Sequence, residues 1–366
     1  METVKIGPVS LRRIFDGVIC LRTSFRRCLM TIKDLAAQTG YSVGTISRVL
    51  NNQPNVSEKA RTVIMAAAEE SGFTLNTNAK NLKQQSSNSI LVVVKGTNNE
   101  LFSNLIVGIQ ARVGETPYPL VVDYLDEDQN EVRRAAQLCK EKKPLGVLFL
   151  GGNRENFLAD FPDIDLPCVL VTNDASHLQF DNLSSVTADD RDCGKLAIEH
   201  LLQCGHRKIA IIGGDRMISD ITRLRYLGCQ DAFLANQIPF DPRLDYENVR
   251  FSYADGYRAV ENLLDRGRDF TAIFAMADVM AIGAIRALRD RGLRVPEDVS
   301  VMGIDGLTIG EYTVPKLSTV SQKIDRMADR CVQILRDQIE RHISARHETI
   351  PVTVEHKESI RSIEIS

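Results

Sequence analysis

Small polar side chains and one arginine are concentrated in the stretch Thr31–Asn51, which reads TIKDLAAQTGYSVGTISRVLN. An arginine at Arg48 can bind guanine or a phosphate, while Val43 and Gly44 can offer shape and a methyl contact to base edges. Hydroxyl and amide side chains typically bind phosphate oxygens and set the register of a protein on the duplex. These residue types therefore predict contact with double-stranded DNA. The predicted contacts in this stretch are Thr31, Ser42, Val43, Gly44, Thr45, Ser47, Arg48 and Asn51.

The same stretch has the pattern of two short helices joined by a turn. Thr31 is predicted to cap the first helix, and Asp34 three residues later completes a capping box. Gly40 gives the turn its backbone freedom, and Ser42 is a good cap for a second helix that runs through Leu50. This is the layout of a helix-turn-helix, whose second helix enters the major groove. A plain helical hairpin with a glycine turn would show the same pattern.

A third helix and a short polar segment follow. Ser57 is predicted to cap the third helix, and Gly72 to end it. The next segment, Asn76–Lys83, is too short to hold a helix alone in water, because nucleation is costly and few hydrogen bonds repay it. We expect it to be disordered without DNA and to fold when two copies pair on DNA. The polar stretch Gln84–Ser89 is the predicted domain boundary.

After this boundary, short apolar runs alternate with amphipathic helical runs. Such alternation predicts parallel sheets covered by helices on both faces, and the run is long enough for two doubly wound lobes. The predicted strands are Ile90–Val94, Leu120–Val122, Val147–Leu150, Cys168–Val171, Ile209–Ile212, Ala272–Met276 and Val299–Met302. The predicted helices are Phe102–Val113, Gln129–Lys142, Asp190–Gln203, Leu224–Asn236, Asp255–Arg266, Asp278–Arg291 and Ile324–Arg341.

Glycine pairs stand at two predicted strand ends, where glycines can cradle phosphates. Neither Gly151-Gly152 nor Gly213-Gly214 continues as a dinucleotide-binding or P-loop motif, so we do not expect a nucleotide site of either kind. No nucleophile-base pair or metal-type spacing emerges either, and the expectation is a protein without catalysis, cofactor or metal. An enzyme built on a doubly wound fold remains a rival interpretation.

Composition and charge fit a soluble protein that meets DNA at one end. The chain is 43% apolar and 25% charged, which is ordinary for globular domains. Its formal net charge is -3, yet basic residues outnumber acidic ones in the first 85 residues, as a cationic head on an anionic body would. The eight cysteines form no C-x-x-C pair, so we expect reduced thiols in a cytoplasmic protein.

The wordings TIKDLA, TGYSVGTISRVLNN and VSEKAR resemble the DNA-binding head of the LacI/GalR (lactose/galactose repressor) family of bacterial transcription regulators. AIEHLLQCGHRKIAIIGG, RLRYLGCQDAF and FTAIFAMADVMAIGAIRALRDRGLRVPEDVSVMGID resemble the sensor core of that family, which is similar to periplasmic sugar-binding proteins. The resemblance covers nearly everything after Met30. It implies a repressor that binds a palindromic operator as a homodimer. A small molecule would control this binding, and a carbohydrate is the first candidate.

The resemblance also implies site residues. The segment Asn76–Lys83 resembles the hinge of the family. Further DNA contacts are implied at Asn55 and, in this hinge, at Asn76, Ala79 and Leu82. Leu82 would be the leucine that inserts between base pairs in the minor groove. The effector-binding residues that the resemblance implies are Arg225, Phe251, Asp278 and Asp305. Three further candidates end or follow strands of the first lobe and could line the cleft, namely Phe102, Asn173 and Asp174.

Three departures from the family pattern bear on these implications. Leu75 stands where the family commonly has proline, which makes the entry to the hinge less rigid. Ala277 replaces a residue whose amide usually bonds the effector, and Gly306 replaces a second carboxylate. A phosphorylated sugar and a nucleoside therefore remain alternatives to a plain sugar. Asp278 is also a candidate for a simple helix cap.

The domain prediction combines these patterns. It comprises a basic extension at 1–29, a helix-turn-helix head at 30–75, a hinge helix and linker at 76–88, and an effector-binding and dimerisation core at 89–366. Lobe 1 of the core is expected at about 89–188 and 319–344, and lobe 2 at about 189–318 and 345–360. The extension is a poor signal peptide and is either upstream of a native start at Met30 or a basic arm. The rival function is a sugar-binding sensor protein without regulatory DNA binding.

Overall fold

A computed structural model describes residues 32–50, 56–71, 88–96 and 99–364. These residues form two units, a helical head and an α/β core, and each is described by itself. Among the described residues, no helix is both long enough and apolar enough to cross a membrane. Six of the predicted DNA contacts lie outside the described residues, namely Thr31, Asn51, Asn55, Asn76, Ala79 and Leu82.

Among the described residues of the head there are three helices. They are α1 (Ile32–Thr39), α2 (Val43–Leu50) and α3 (Glu58–Glu70). Their apolar faces enclose a small core in which Leu35, Ile46 and Ile64 are completely buried. A core of this size is marginal by itself, since a short chain buries only a modest share of its apolar surface.

The local signals predicted for the head are confirmed where they can be seen. Gly40 lies in the turn between α1 and α2 with φ +74°, the left-handed conformation that glycine adopts without strain. The Oγ of Ser42 accepts a hydrogen bond of 3.2 Å from the amide of Thr45 and so caps α2. The Oγ of Ser57 does the same for the amide of Ala60 at 3.4 Å. Ser71, one residue before the predicted end, closes α3.

The core alternates strands and helices along the chain. Its strands are β1 (Ile90–Lys95), β2 (Leu120–Leu125), β3 (Gly146–Leu150), β4 (Cys168–Val171), β5 (Leu183–Ala188), β6 (Ile209–Gly213), β7 (Tyr246–Asn248), β8 (Ala272–Ala275), β9 (Ser300–Asp305), β10 (Ser318–Ser321), β11 (His347–Ile350) and β12 (Thr353–Glu355). Its α-helices are α4 (Glu100–Val113), α5 (Glu131–Lys142), α6 (Arg154–Asp160), α7 (Asp190–Gln203), α8 (Asp220–Ala235), α9 (Tyr253–Asp265), α10 (Asp278–Asp290) and α11 (Ile324–Arg341).

These strands form two six-stranded sheets, one in each lobe. The first has the order β11-β5-β4-β3-β1-β2 and is parallel throughout. The second has the order β12-β10-β9-β8-β6-β7 and is parallel except for β12, which runs antiparallel to β10. The predicted fold class, a helical head followed by a two-lobed core of doubly wound parallel sheets, is confirmed.

The predicted lobe boundaries are wrong at the second and third crossings. β10 pairs with β9 in the second sheet, so residues 319–321, which the prediction assigns to lobe 1, belong to lobe 2. α11 packs on the first sheet, and β11 then adds to the edge of that sheet beside β5. The chain therefore leaves lobe 1 for the last time after Ile350. The prediction placed this crossing soon after the end of α11, but the pairing of β11 with β5 keeps the chain in lobe 1 for longer.

Five strands were missed because they are short or rich in hydroxyl residues. In β5, Ser184 and Ser185 are completely buried and Thr187 nearly so. Their hydroxyls are satisfied: the Oγ of Ser184 accepts the amide of Arg346 at 2.9 Å, and the Oγ1 of Thr187 donates to the carbonyl of Thr172 at 3.0 Å. A buried polar group is tolerated when it is hydrogen-bonded, and these partners are distant in sequence.

Candidate DNA-binding surface and ligand cleft

Helix α2 presents a polar face opposite to its buried residues. Ile46 and Val49 face the core of the head, whereas Val43, Gly44 and Arg48 are exposed. Thr45 and Ser47 are half-buried between them, and Ser42 is exposed at the cap. The described part of the predicted DNA contacts therefore lies on one surface. This surface combines the cation of Arg48 with short side chains, the residue types from which a DNA contact is predicted.

A buried ion pair lies at the carboxyl ends of the strands in lobe 2. Arg225 in α8 is 4% exposed, and its Nε donates a hydrogen bond of 2.8 Å to Oδ1 of Asp190, the first residue of α7. Its Nη1 donates to the carbonyl of Met276, which follows β8, at 2.5 Å. Contacts from two separate elements thus fix the plane of the guanidinium, which suits bidentate recognition.

Asp305 ends β9 close to this arginine. It is 5% exposed and adopts φ +130°, a backbone conformation that is strained for a residue with a side chain. Its Oδ1 accepts a hydrogen bond of 2.7 Å from Nε2 of Gln322, which follows β10. Burial raises the pKa of Asp305 to about 7, although the charge of Arg225 acts in the opposite direction. The carboxyl group is thus poised between its neutral and charged forms.

Asp278, the first residue of α10, is completely buried. Its Oδ2 accepts the amide of Leu307 at 2.8 Å, and its Oδ1 accepts the hydroxyl of Thr319 at 2.7 Å. Gly303 makes this possible, since a Cβ there would lie 2.2 Å from Oδ1 of Asp278. Burial, followed by the nearby carboxyl of Asp305, raises the pKa of Asp278 well above its usual value. Both oxygens of Asp278 are used to tie α10 to the segments that follow β9 and begin β10.

Aromatic rings occupy the space beside the two glycine pairs. A Cβ at Gly151 would lie 2.8 Å from Cζ of Phe102, and a Cβ at Gly214 would lie 2.7 Å from Cε2 of Phe251. The glycines therefore make room for aromatic side chains at strand ends. Phe102 is nearly buried and Phe251 half-buried, so Phe251 has the larger face available to a ligand.

Asn173 and Asp174 follow β4 in lobe 1, at the carboxyl edge of the first sheet. Asn173 is half-buried and Asp174 is exposed. Oδ1 of Asp174 accepts the amide of Ser176 at 2.9 Å and the hydroxyl of Ser185 at 3.3 Å. These hydrogen bonds shape the loop and leave Asn173 as the more adaptable polar group.

The two lobes touch across the cleft between their strand ends. The hydroxyl of Tyr253 at the start of α9 donates a hydrogen bond to the carboxylate of Glu100 at the start of α4. α4 belongs to lobe 1 and α9 to lobe 2, so this bond joins the lobes directly. Neither residue was predicted from the sequence, since each reads as an ordinary residue in a helical first turn.

Comparison with known proteins identifies the family. Residues 31–76 match the family of bacterial regulatory proteins described as lacI family, and residues 198–360 match the periplasmic binding protein-like domain. The chain is 34% identical over 311 residues to the HTH-type transcriptional regulator MalR of Clostridium butyricum, covering 84% of this chain and 92% of MalR. This chain belongs to the LacI family of bacterial regulators. It is also 33% identical to the HTH-type transcriptional regulator DegA of Bacillus subtilis, over 81% of this chain and 88% of DegA.

Solved structures agree with this assignment to the LacI family. The transcriptional regulator CelR in complex with cellobiose has a TM-score of 0.67 and 28% identity, over 90% of this chain and 99% of CelR. The lac repressor dimer bound to operator and an anti-inducer has a TM-score of 0.75 and 25% identity, over 91% of this chain and 99% of the repressor chain. The chain is thus a DNA-binding transcription regulator with a helix-turn-helix head, as predicted.

Three further residues near the cleft of this LacI-family chain were not predicted from the sequence. Asp190 orients Arg225, and Gln322 binds Asp305. Thr222 is completely buried one helical turn before Arg225, and its Oγ1 has no hydrogen-bond partner among the described residues. A buried hydroxyl without a hydrogen-bond partner costs free energy, so this one is a candidate for a further partner. The partners of Arg225 and Asp305 lie 35 and 17 residues away, which hides them from local patterns.

Replacing Asp305 by asparagine is expected to reduce the pH dependence of stability. The folded protein holds the proton of this carboxyl up to about pH 7, whereas an unfolded chain releases it near pH 4. The folded state therefore binds more protons in this window, and the free energy of unfolding falls as the pH rises from about 4 to about 7. Asparagine cannot ionise, so the melting temperature of Asp305→Asn should fall less than that of the wild type between pH 5 and pH 8. Asp329→Asn, at an exposed position of α11, is the control. If the melting temperatures of Asp305→Asn and the wild type fell equally between pH 5 and pH 8, the raised pKa of Asp305 would be contradicted.

Proposed function

We propose that this LacI-family regulator is a repressor that binds a palindromic operator as a homodimer and is controlled by a small carbohydrate in the cleft. The cleft carries this proposal, because it holds a buried guanidinium that Asp190 orients beside the carboxyl of Asp305. The CelR relative was solved with cellobiose and the lac repressor relative with operator DNA, which supports both halves of the proposal.

The chemistry of the cleft suits a molecule with several hydroxyl groups. The planar fork of Arg225 can donate two parallel hydrogen bonds to neighbouring oxygens. Asp305 can accept from a third hydroxyl, and Thr222 offers a buried hydroxyl that has no hydrogen-bond partner in the part of the chain that the structure describes. The ring of Phe251 can cover the apolar face of a sugar. A few convergent polar groups with an aromatic neighbour are typical of small-molecule sites.

On the DNA side, Arg48 is proposed to read guanine or hold a phosphate, while Val43 and Gly44 let α2 approach the groove. Such a small head binds too weakly alone, so two heads on two half-sites are proposed. The hinge is proposed to fold on the operator, with Leu82 inserted between base pairs in the minor groove. Packing of Leu82 against the head is the alternative role for this residue.

Coupling between the two sites is proposed to act through the lobes. A ligand that binds groups on both lobes favours one placement of lobe 1 against lobe 2, and the hydrogen bond between Tyr253 and Glu100 belongs to such a placement. The placement of the lobes then biases the spacing and folding of the paired hinges. A coupling free energy of about 1–3 kcal/mol is typical of such regulators.

The proposal includes a cytoplasmic protein without enzymatic activity. Relatives of this chain are named as transcription regulators and repressors, which favours regulation over catalysis. The rival proposal is a sugar-binding sensor without regulatory DNA binding. It does not account for residues 31–76, which match the lacI family of bacterial regulatory proteins.

Replacing Arg48 by alanine tests the DNA-binding surface. If Arg48 reads a base edge, Arg48→Ala should weaken operator binding by about 1–3 kcal/mol and relax the preference at one base pair. Fluorescence anisotropy at fixed salt, with operator and unrelated duplexes, measures both effects. Arg48→Lys keeps the charge without the planar fork and should recover non-specific binding better than operator binding. Met65→Ala, at an exposed position of α3, is the control. Wild-type affinity of Arg48→Ala for the operator would contradict the proposed role of Arg48 at the interface.

A further inference from the structure

Two histidines and a cysteine converge in lobe 2, outside the cleft. His200 lies in the last turn of α7 and Cys204 caps its end, while His356 follows β12. Nε2 of His200 lies 2.8 Å from Nδ1 of His356 and 4.0 Å from Sγ of Cys204. The three ligand-type atoms all lie within 4.8 Å of one another.

The backbone brings these side chains together in a fixed way. His200 lies in the last turn of α7 and Cys204, four residues later, is its C-cap, so their side chains lie on one face of the helix end. The hydrogen bond of 2.8 Å from the amide of Ile363 to the carbonyl of Cys204 holds the C-terminal segment against this helix end. Cys204 is 7% exposed, His200 is half-buried and His356 is exposed, which leaves one side open to solvent.

This cluster is remote from the cleft. Asp190 begins α7 at the cleft, and His200 lies ten residues further along, about 15 Å at the rise of an α-helix. β12 runs antiparallel to β10, with Thr353 opposite Ser321 and Glu355 opposite Thr319. His356, the next residue, therefore lies opposite Ser318 at the amino end of β10, whereas the cleft residues lie at the carboxyl ends of the strands.

The set of atoms matches a transition-metal site. Imidazole nitrogen and thiolate sulfur are the ligands that zinc and its neighbours prefer, whereas magnesium and calcium prefer oxygen. Bonds of about 2.0 Å to nitrogen and 2.3 Å to sulfur place tetrahedral ligand atoms roughly 3.3–3.8 Å apart. The two histidine nitrogens would separate slightly and the other atoms would close slightly to reach these distances.

We propose that His200, Cys204 and His356 bind one divalent ion of the zinc class, with water at the fourth tetrahedral position on the open side. The thiol of Cys204 releases its proton to solvent when it ligates, as thiolate ligands do. The bound ion replaces the hydrogen bond between the two imidazoles. It ties the end of α7 to the segment after the last crossing between lobes, and so gives the regulator a second ligand besides the one in the cleft.

Cobalt titration of the full chain tests the site, because cobalt ligated by a thiolate absorbs light in a way that reports sulfur and tetrahedral geometry. We expect one Co²⁺ per chain, with a thiolate-to-cobalt charge-transfer band that Zn²⁺ displaces. Cys204→Ser should abolish this band, and His356→Asn should weaken cobalt binding at least tenfold, the lower end of what even outer-shell partners contribute. Cys331→Ser, at a buried cysteine of α11, and the double variant Cys20→Ser/Cys28→Ser are the controls, and both should retain the band.

A second measurement does not depend on the buried cysteine. Since a ligand that binds only the folded state stabilises it, Zn²⁺ should raise the melting temperature of the wild type by a few degrees. His356 is exposed, so His356→Asn should fold normally and lose this shift. His177→Asn, at another exposed histidine, should keep it. The site would be overturned by a chain that binds no cobalt, or by His356→Asn and Cys204→Ser variants that bind cobalt as the wild type does.

Discussion

Arg225→Ala is expected to abolish the thermal stabilisation that a sugar ligand gives to the protein, and to destabilise the ligand-free protein as well. The substitution removes the proposed bidentate donor to the ligand. It also leaves the carboxylate of Asp190, which is 6% exposed, without its partner at 2.8 Å. Removing one member of a buried ion pair typically costs about 3–5 kcal/mol. Both effects are therefore large.

Matched variants separate the two effects of Arg225→Ala. Arg223→Ala removes an exposed arginine from the same helix, whose pair with Asp220 is worth at most about 1 kcal/mol. This control should keep both stability and the ligand-induced shift. Arg225→Lys keeps a charge beside Asp190 but loses the fork, so it should keep more stability than alanine while losing most of the shift. A thermal shift in Arg225→Ala equal to that of the wild type would take Arg225 out of the ligand site.

Gly228→Ala is expected to be the most damaging small substitution in lobe 2. A Cβ at Gly228 would lie 1.8 Å from the carbonyl oxygen of Arg191 in α7. The contact is reciprocal, since a Cβ at Gly194 would lie 1.9 Å from the carbonyl oxygen of Arg225 in α8. The backbones of α7 and α8 therefore touch, and an added methyl group must force the helices apart. Asp190 and Arg225, one on each helix, would separate with them.

Overpacking of this kind typically costs about 1–3 kcal/mol, and loosening the buried ion pair should add to that cost. Urea unfolding of Gly228→Ala should show a lower midpoint than the wild type. Leu234→Ala changes a residue of the same helix that is 81% exposed and should alter the free energy of unfolding by less than about 0.5 kcal/mol. An unchanged midpoint for Gly228→Ala would contradict the close approach of the two helices.

Local chemistry made the head predictable from the sequence. The caps at Ser42 and Ser57 and the turn at Gly40 depend on neighbours within four residues, and each is found as predicted. The apolar strands of the core were also predictable, because a strand that is buried on both faces of its sheet has a continuous run of apolar residues.

Features that depend on distant partners were not predictable in this way. In the sequence, the serines of β5 resemble loop residues. Their burial depends on distant partners, such as the main-chain amide of Arg346, which donates a hydrogen bond to the hydroxyl of Ser184. Arg225 was found through the family resemblance, but its orientation depends on Asp190, which a single sequence does not connect to it. The cluster at His200, Cys204 and His356 escaped for the same reason, because pairing of β12 with β10 brings the last residue into place.

Binding of the full chain to DNA from its own promoter regions, with and without sugars, sugar phosphates and nucleosides, tests the proposed regulation most directly. We expect a palindromic site to bind more tightly than unrelated DNA, and at least one compound to change that affinity by about 5–150-fold. The contrary result would be equal affinity for every promoter fragment and for unrelated DNA, unaffected by any of the compounds.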